Sequence, residues 1–204
     1  MTTTGDGAAT PLKVLTICGS LRRESYNRKL MRTAIEMAPP GFEITESISI
    51  GEMPYLNEDV AKVGLPAPVQ RINEQIRAAD AVVIVTPEYN YGVPGVLKNV
   101  IDWITTPHPP QNALRFKPVG LMGASIGNFG TVRCQLSLRQ TMLFLESYVM
   151  PKPEIYVFRA QDKFDANGKL TDEPARELIK AYWPALRKFT AMIASTPNSV
   201  DAHA

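Results

Sequence analysis

Residues 13–27 read K-V-L-T-I-C-G-S-L-R-R-E-S-Y-N, and this stretch decides the fold. Its first six residues are rich in β-branched side chains and uncharged after Lys13, as suits a strand buried on both faces of a parallel sheet. Gly19 permits a sharp turn. Beyond it, Leu30, Met31, Ala34, Ile35 and Ala38 recur at spacings of three and four, which predicts an amphipathic helix over 26–38 with its N-terminus at the turn. The free N–H groups and positive dipole end of such a helix attract an anion. Ser20, Ser25 and Asn27 can add neutral hydrogen bonds to phosphate oxygens, and Arg22 a charge-assisted one. A competing reading makes Ser25 only an N-cap and Arg22 only a solvated surface charge.

The turn has neither the G-K-[ST] ending of a P-loop nor the G-x-G-x-x-G of a dinucleotide fingerprint. A monophosphate held by serines, an asparagine and one arginine fits better, which points to a mononucleotide such as FMN. Working outward, residues 42–48, 81–86, 118–123 and 154–158 read as further strands, with A-V-V-I-V-T at 81–86 the clearest buried one. Helices are predicted over 68–79, 95–105, 131–145 and 173–194, the last bent near Pro184, and the longest loop over 49–66. Strand and helix alternate, so the expected architecture is α/β, a doubly wound parallel sheet with helices on both faces. Five strands with the phosphate turn after the first match the flavodoxin-like order 2-1-3-4-5, with the ligand at the carboxyl ends beside the switch point between strands 1 and 3.

That topology directs attention to the turns after strands 3 and 4. Residues 87–94, P-E-Y-N-Y-G-V-P, combine two prolines, a glycine and two tyrosines. The prolines fix the backbone, Gly92 allows close approach, and Tyr89 or Tyr91 can lie against a flat ring. The competing reading is a rigid turn whose tyrosines only pack. Residues 123–130, G-A-S-I-G-N-F-G, form a second glycine-rich turn ahead of a helix and either present backbone N–H groups to a ring edge or merely connect elements.

Composition narrows the class. The chain has 204 residues, 45% apolar, with a formal net charge of +2, as expected for one domain with a sizeable core. So small a charge, with no basic run interleaved with aromatics, does not suggest nucleic acid, and no stretch is long and apolar enough to span a membrane. Residues 1–11 read as a disordered lead-in without signal-peptide character, and 195–204 as a flexible tail, so a cytoplasmic location is expected. Cys18 and Cys134 show no C-x-x-C spacing, and His108 and His203 are the only histidines, which leaves little material for a disulfide framework, a metal site or a Ser-His-Asp triad.

Three motifs together, G-S-L-R-R-E-S-Y-N at 19–27, T-P-E-Y-N-Y-G-V-P-G-V-L-K-N-V-I-D-W at 86–103 and G-N-F-G-T-V-R-C-Q at 127–135, resemble the NADPH-dependent FMN reductase family of flavodoxin-like proteins, and within it the soluble quinone and chromate reductases. The resemblance covers a single domain over 12–194. It implies that Ser20, Arg22, Ser25 and Asn27, with Tyr26 beside them, hold the FMN phosphate. It also implies that Pro87, Glu88, Tyr89 and Asn90 line the isoalloxazine, with Tyr91 and Gly92 in the same motif, and that 125–130, including Ser125, Gly127 and Gly130, follow the ribityl and pyrimidine side. Phe129 stands where the family commonly has a second glycine, which bears on the width of the substrate pocket. The implied activity is hydride transfer from NADPH or NADH through FMN to quinones, chromate, azo compounds, ferric chelates or free flavin, with ping-pong kinetics. Because the flavin carries the chemistry, no residue is expected to act as acid, base or nucleophile.

Two rivals are a flavodoxin-type electron carrier, which as a family is strongly acidic where this chain is slightly basic, and a flavin-bound regulator without physiological turnover. A homodimer or homotetramer is expected because the helix over 95–105 carries Val96, Val100 and Ile104 on one side and Leu97, Ile101 and Trp103 around the rest, more apolar surface than one sheet face covers. Arg133 and Glu154 are candidate links between dimers.

Overall fold

The computed structural model describes residues 10–106 and 112–196. Residues 1–9 of the expected lead-in, 197–204 of the expected tail, and both histidines lie outside the described residues. The elements are β1 (Leu12–Cys18), α1 (Tyr26–Glu36), β2 (Phe42–Glu46), α2 (Glu58–Val63), α3 (Ala67–Ala78), β3 (Ala81–Val85), α4 (Gly95–Ile104), β4 (Pro118–Ala124), α5 (Val132–Phe144), β5 (Tyr148–Val149), β6 (Ile155–Val157) and α6 (Glu173–Ala194).

All strands pair in parallel in the order 2-1-3-4-5, the flavodoxin-like arrangement. The fifth position is divided: β5 pairs with Pro118 and Val119 at the start of β4, and β6 pairs with Met122 to Ala124 at its end. The sheet therefore has six strands in five positions. The expected strand over 154–158 is β6, and β5 went unread because two residues, Tyr148 and Val149, carry no periodicity.

Alternation along the strands splits the core. Leu15, Ile17, Val82, Ile84, Val119 and Leu121 face α3, α4 and α5, whereas Val14, Val83, Val85, Met122 and Ala124 face α1 and α6. With both faces covered, each central strand reads as a continuous apolar run. Helix α6 continues through Pro184, and Trp183 Nε1 donates to the Ala34 carbonyl at 2.9 Å, tying α6 to α1.

The expected long loop over 49–66 contains a 3₁₀ turn, Ile50–Glu52, and the short helix α2. Its middle forms a strap across α4. Trp103 Nε1 and Asn99 Nδ2 both donate to the Pro54 carbonyl at 2.8 Å, and the Leu56 N–H donates to Asn99 Oδ1 at 2.8 Å. Ile50 and Met53 are buried in the same cluster as α4. Leu97, Val100, Ile101, Trp103 and Ile104 are all buried within the one chain. The apolar surplus of α4 is thus covered by the chain's own strap, which removes the argument from this helix for a second subunit.

Candidate functional site

Register places three turns at the carboxyl end of the sheet. The Gly19 N–H donates to Val85 O at 2.8 Å, the Thr86 N–H to Met122 O at 3.0 Å and the Ser125 N–H to Val157 O at 2.9 Å, so β1, β3 and β4 open side by side. A Cβ at Gly19 would lie 2.4 Å from Thr86 Oγ1, so glycine is what lets the first turn cross the second.

The first turn gathers Ser20, Arg22, Ser25, Tyr26 and Asn27 along one side of a cavity. Ser25 is the N-cap of α1 and accepts from the Asn27 N–H at 3.2 Å, so the capping role is real. The first turn of α1 carries no acidic residue, leaving its positive end unopposed. Ser20 is buried as a residue and lines the cavity beside this helix end. Arg22 is exposed, has no acidic partner among the described residues, and sits 5.4 Å from the Tyr26 ring centroid. Asn27 departs from its expected part: its Oδ1 accepts from the Ala124 N–H and its Nδ2 donates to the Ala124 carbonyl, each at 2.8 Å. Its side chain clamps the end of β4 to the start of α1, and one amide hydrogen remains for a ligand.

The second turn is a two-residue hairpin. Tyr89 and Gly92 exchange backbone hydrogen bonds of 3.2 and 2.9 Å around Asn90 and Tyr91, whose φ values of 50° and 66° are both left-handed. Asparagine tolerates this conformation, whereas it strains a tyrosine. Gly92 has no left-handed φ, and a Cβ there would meet nothing nearer than 3.8 Å, so no contact within the described residues requires glycine at this position. The strain is held from outside. Arg133 Nε donates to Glu88 Oε1 at 2.6 Å, and the Cys134 N–H donates to Glu88 Oε2 at 3.0 Å, in the first turn of α5. The Arg133 guanidinium also lies 3.6 Å from the Tyr91 ring centroid and 5.1 Å from that of Phe129. Glu88, with only 4% of its side chain exposed, thus faces a helix terminus rather than offering its carboxylate freely to a ring. Arg133 is engaged within the chain, and so is Glu154, which accepts from Lys152 and from the Tyr156 hydroxyl, so both expected inter-dimer charges have partners of their own.

In the third turn the Ser125 N–H is spent on Val157, and the Gly127 N–H on Ser125 Oγ at 3.2 Å. Gly130, with φ of 58°, backs against Tyr156 of β6. These three turns enclose one cavity of about 600 Å³. Ser20, Arg22, Ser25, Tyr26 and Asn27 form one side, Pro87, Glu88, Tyr89 and Asn90 the other, and Ser125 part of the third. Tyr91, Gly92, Gly127 and Gly130 are outside its wall and shape the turns instead. Ile126, inside the expected 125–130 segment, lines it as well, and so does Ala124, an apolar strand residue that no motif singled out.

Chemically, the cavity offers hydroxyls, a cation and a helix terminus at one end and an apolar, aromatic wall at the other. No group of three or more metal-ligating side chains occurs among the described residues. Burial pushes the Cys134 thiol up to about 12 and raises that of Cys18 as well, so neither is a nucleophile. This donor set suits a phosphorylated planar cofactor.

Comparison with known proteins agrees. The model of the NADPH-dependent FMN reductase family matches residues 12–162. An NAD(P)H-dependent FMN reductase of Pseudomonas aeruginosa is 49% identical over 176 residues, covering 86% of this chain and 94% of the relative. A quinone reductase of Escherichia coli is 42% identical over 180 residues, covering 87% and 95%. Among solved structures, the flavoenzyme NAD(P)H:(acceptor) oxidoreductase FerB of Paracoccus denitrificans superposes with a TM-score of 0.80 at 32% identity, covering 89% of this chain and 98% of FerB. The chain belongs to the NADPH-dependent FMN reductase family.

Proposed function

We propose that this protein is an FMN-dependent NAD(P)H oxidoreductase that reduces quinones and related small acceptors. The observation that carries this reading is the single cavity joining an acid-free helix N-terminus and Arg22 to the Tyr89 wall, in a chain of this family. FMN, when bound, supplies the hydride-accepting and electron-donating chemistry, so the protein needs no acid–base triad. Ser20, Ser25, Arg22 and the α1 N-terminus hold the phosphate. Pro87, Tyr89 and Asn90 flank the ring, and Ser125 and Ile126 follow the ribityl side. Tyr89 is 53% exposed, which leaves room for donor and acceptor to use the same side in turn.

Chromate, azo compounds, ferric chelates and free flavin belong to the proposed acceptor range, because an open site discriminates poorly. A homodimer or homotetramer is also proposed, now on different ground: Leu136, Leu143 and Phe144 form an exposed apolar stripe on α5. Light scattering should then give at least twice the 22.5 kDa of one chain. Two buried free thiols support a reducing, cytoplasmic setting. The deciding experiment is an absorbance spectrum of purified protein followed by anaerobic NADPH. A flavin band that bleaches, and recovers with benzoquinone, supports the enzyme, whereas a flavin band indifferent to NADPH and NADH leaves a carrier or a regulator.

A further inference from the structure

A second hollow runs beside the proposed flavin cavity along α1. It is a groove of about 480 Å³ between that helix and the turn at 166–169, and Arg23, Arg28, Lys29, Arg32 and Lys169 line it against only Glu24 and Glu36. Lys29 pairs with Glu24 at 3.3 Å, and Arg28 reaches Glu46 at 3.8 Å. Arg23, Arg32 and Lys169 have no acidic partner among the described residues. The far wall is ordered: Asp165 Oδ1 accepts from the N–H groups of Asn167 and Lys169 at 2.9 and 2.8 Å, and Gly168 lies against the Lys29 stem, where an added Cβ would be 3.1 Å away.

The two hollows share a wall. Tyr26 lines the flavin cavity, while the Lys29 ammonium, which lines the groove, is 5.6 Å from the Tyr26 ring centroid. Arg22 belongs to the first hollow and its neighbour Arg23 to the second. Arg22 and Arg23 precede α1, and from Tyr26 to Arg32 the helix rises about 9 Å, so the groove runs along the helix away from the phosphate turn. A second basic hollow, at the opposite end of the sheet, lacks this character: its Lys117 amine is donated to Ala79 O and its Arg115 pairs with Glu146.

We infer that the α1 groove binds the phosphorylated adenosine end of NADPH, with Arg23, Arg32 and Lys169 around the 2′-phosphate. This rests on the proposed oxidoreductase reading and deepens it, since unpaired cations reward a dianion that NADH lacks.

The test is calorimetric titration of the flavin-loaded protein with adenosine 2′,5′-bisphosphate and with 5′-AMP, in wild type and in the Arg23→Ala/Arg32→Ala variant. Both arginines are exposed, and circular dichroism together with flavin content confirms that the variant folds. Wild type should bind the bisphosphate about tenfold more tightly than 5′-AMP, and the variant should lose that difference. The KM for NADPH should rise about tenfold with kcat retained, while the KM for NADH stays within about twofold. Equal wild-type affinity for the two nucleotides, or a variant that keeps the preference, would overturn the assignment and leave the groove a solvated face. A protein that oxidises neither NADPH nor NADH would sink the oxidoreductase reading, yet the titration would still report on the groove.

Discussion

The two ends of the flavin cavity are built by opposite means. The anion end is largely local: Ser20, Arg22, Ser25 and the α1 N-terminus lie within a few residues of one another, and the cap bond spans two positions. The ring end is held from a distance, because its left-handed Asn90–Tyr91 pair is braced by Glu88, Arg133 and Cys134 across 45 and 46 positions. An end made locally announces itself in sequence, whereas one made by tertiary contact shows only its composition. Asn27 crosses this division, since it sits in the local end but spends its side chain on Ala124, 97 positions away.

The sharpest way to break the comparison is Asn27→Ala. It strands a buried N–H and a buried carbonyl on Ala124, each costing about 1–3 kcal/mol, so urea unfolding should show a loss of about 2–6 kcal/mol. A loss below about 0.5 kcal/mol would mean that water replaces the clamp.

Next in size is the brace. Glu88→Gln and Arg133→Ala, singly and together, should give a coupling of about 1–2 kcal/mol in unfolding, below the range for a fully buried pair because Arg133 is 34% exposed. Additive losses would show that the hairpin holds itself.

At the local end, Arg22→Ala should weaken FMN by about tenfold, near 1.4 kcal/mol, the modest end for a charge-assisted bond from an exposed side chain. Riboflavin, without the phosphate, should bind almost as before. Equal losses for both ligands in fluorescence titrations would move Arg22 away from the phosphate.

The smallest effect is expected from Tyr91→Gly. Relief of the left-handed backbone and loss of the stacking on Arg133 oppose each other, each near 1 kcal/mol, so stability should change by less than about 1 kcal/mol. A large gain in stability would identify Tyr91 as stored strain.

Legibility in the sequence follows the same division. Buried strands such as Ala81–Val85 and amphipathic helices such as α1 and α3 were readable to within one or two residues, because periodicity is a local property. Helix α2 was not, since none of its residues is buried and it has no apolar stripe to read. The surplus apolar surface of α4 was visible, but its cover was not: a strap with Pro54 as the acceptor for two side chains has no pattern of its own. Within the site, residue types pointed to phosphate and ring, whereas the partners that fix Glu88 and Asn27 were invisible until the turns were brought together.

The divided fifth position of the sheet has a bearing on how the protein behaves in a crowded solution. A two-residue piece and a three-residue piece, paired with different halves of β4, give an incoming strand no unbroken row of N–H and C=O groups to template on. That edge is therefore poorly suited to adding strands from another molecule. The interruption keeps the rim of an otherwise ordinary parallel sheet from seeding intermolecular β-stacking, while β4 still receives a neighbour along the half that carries the cavity.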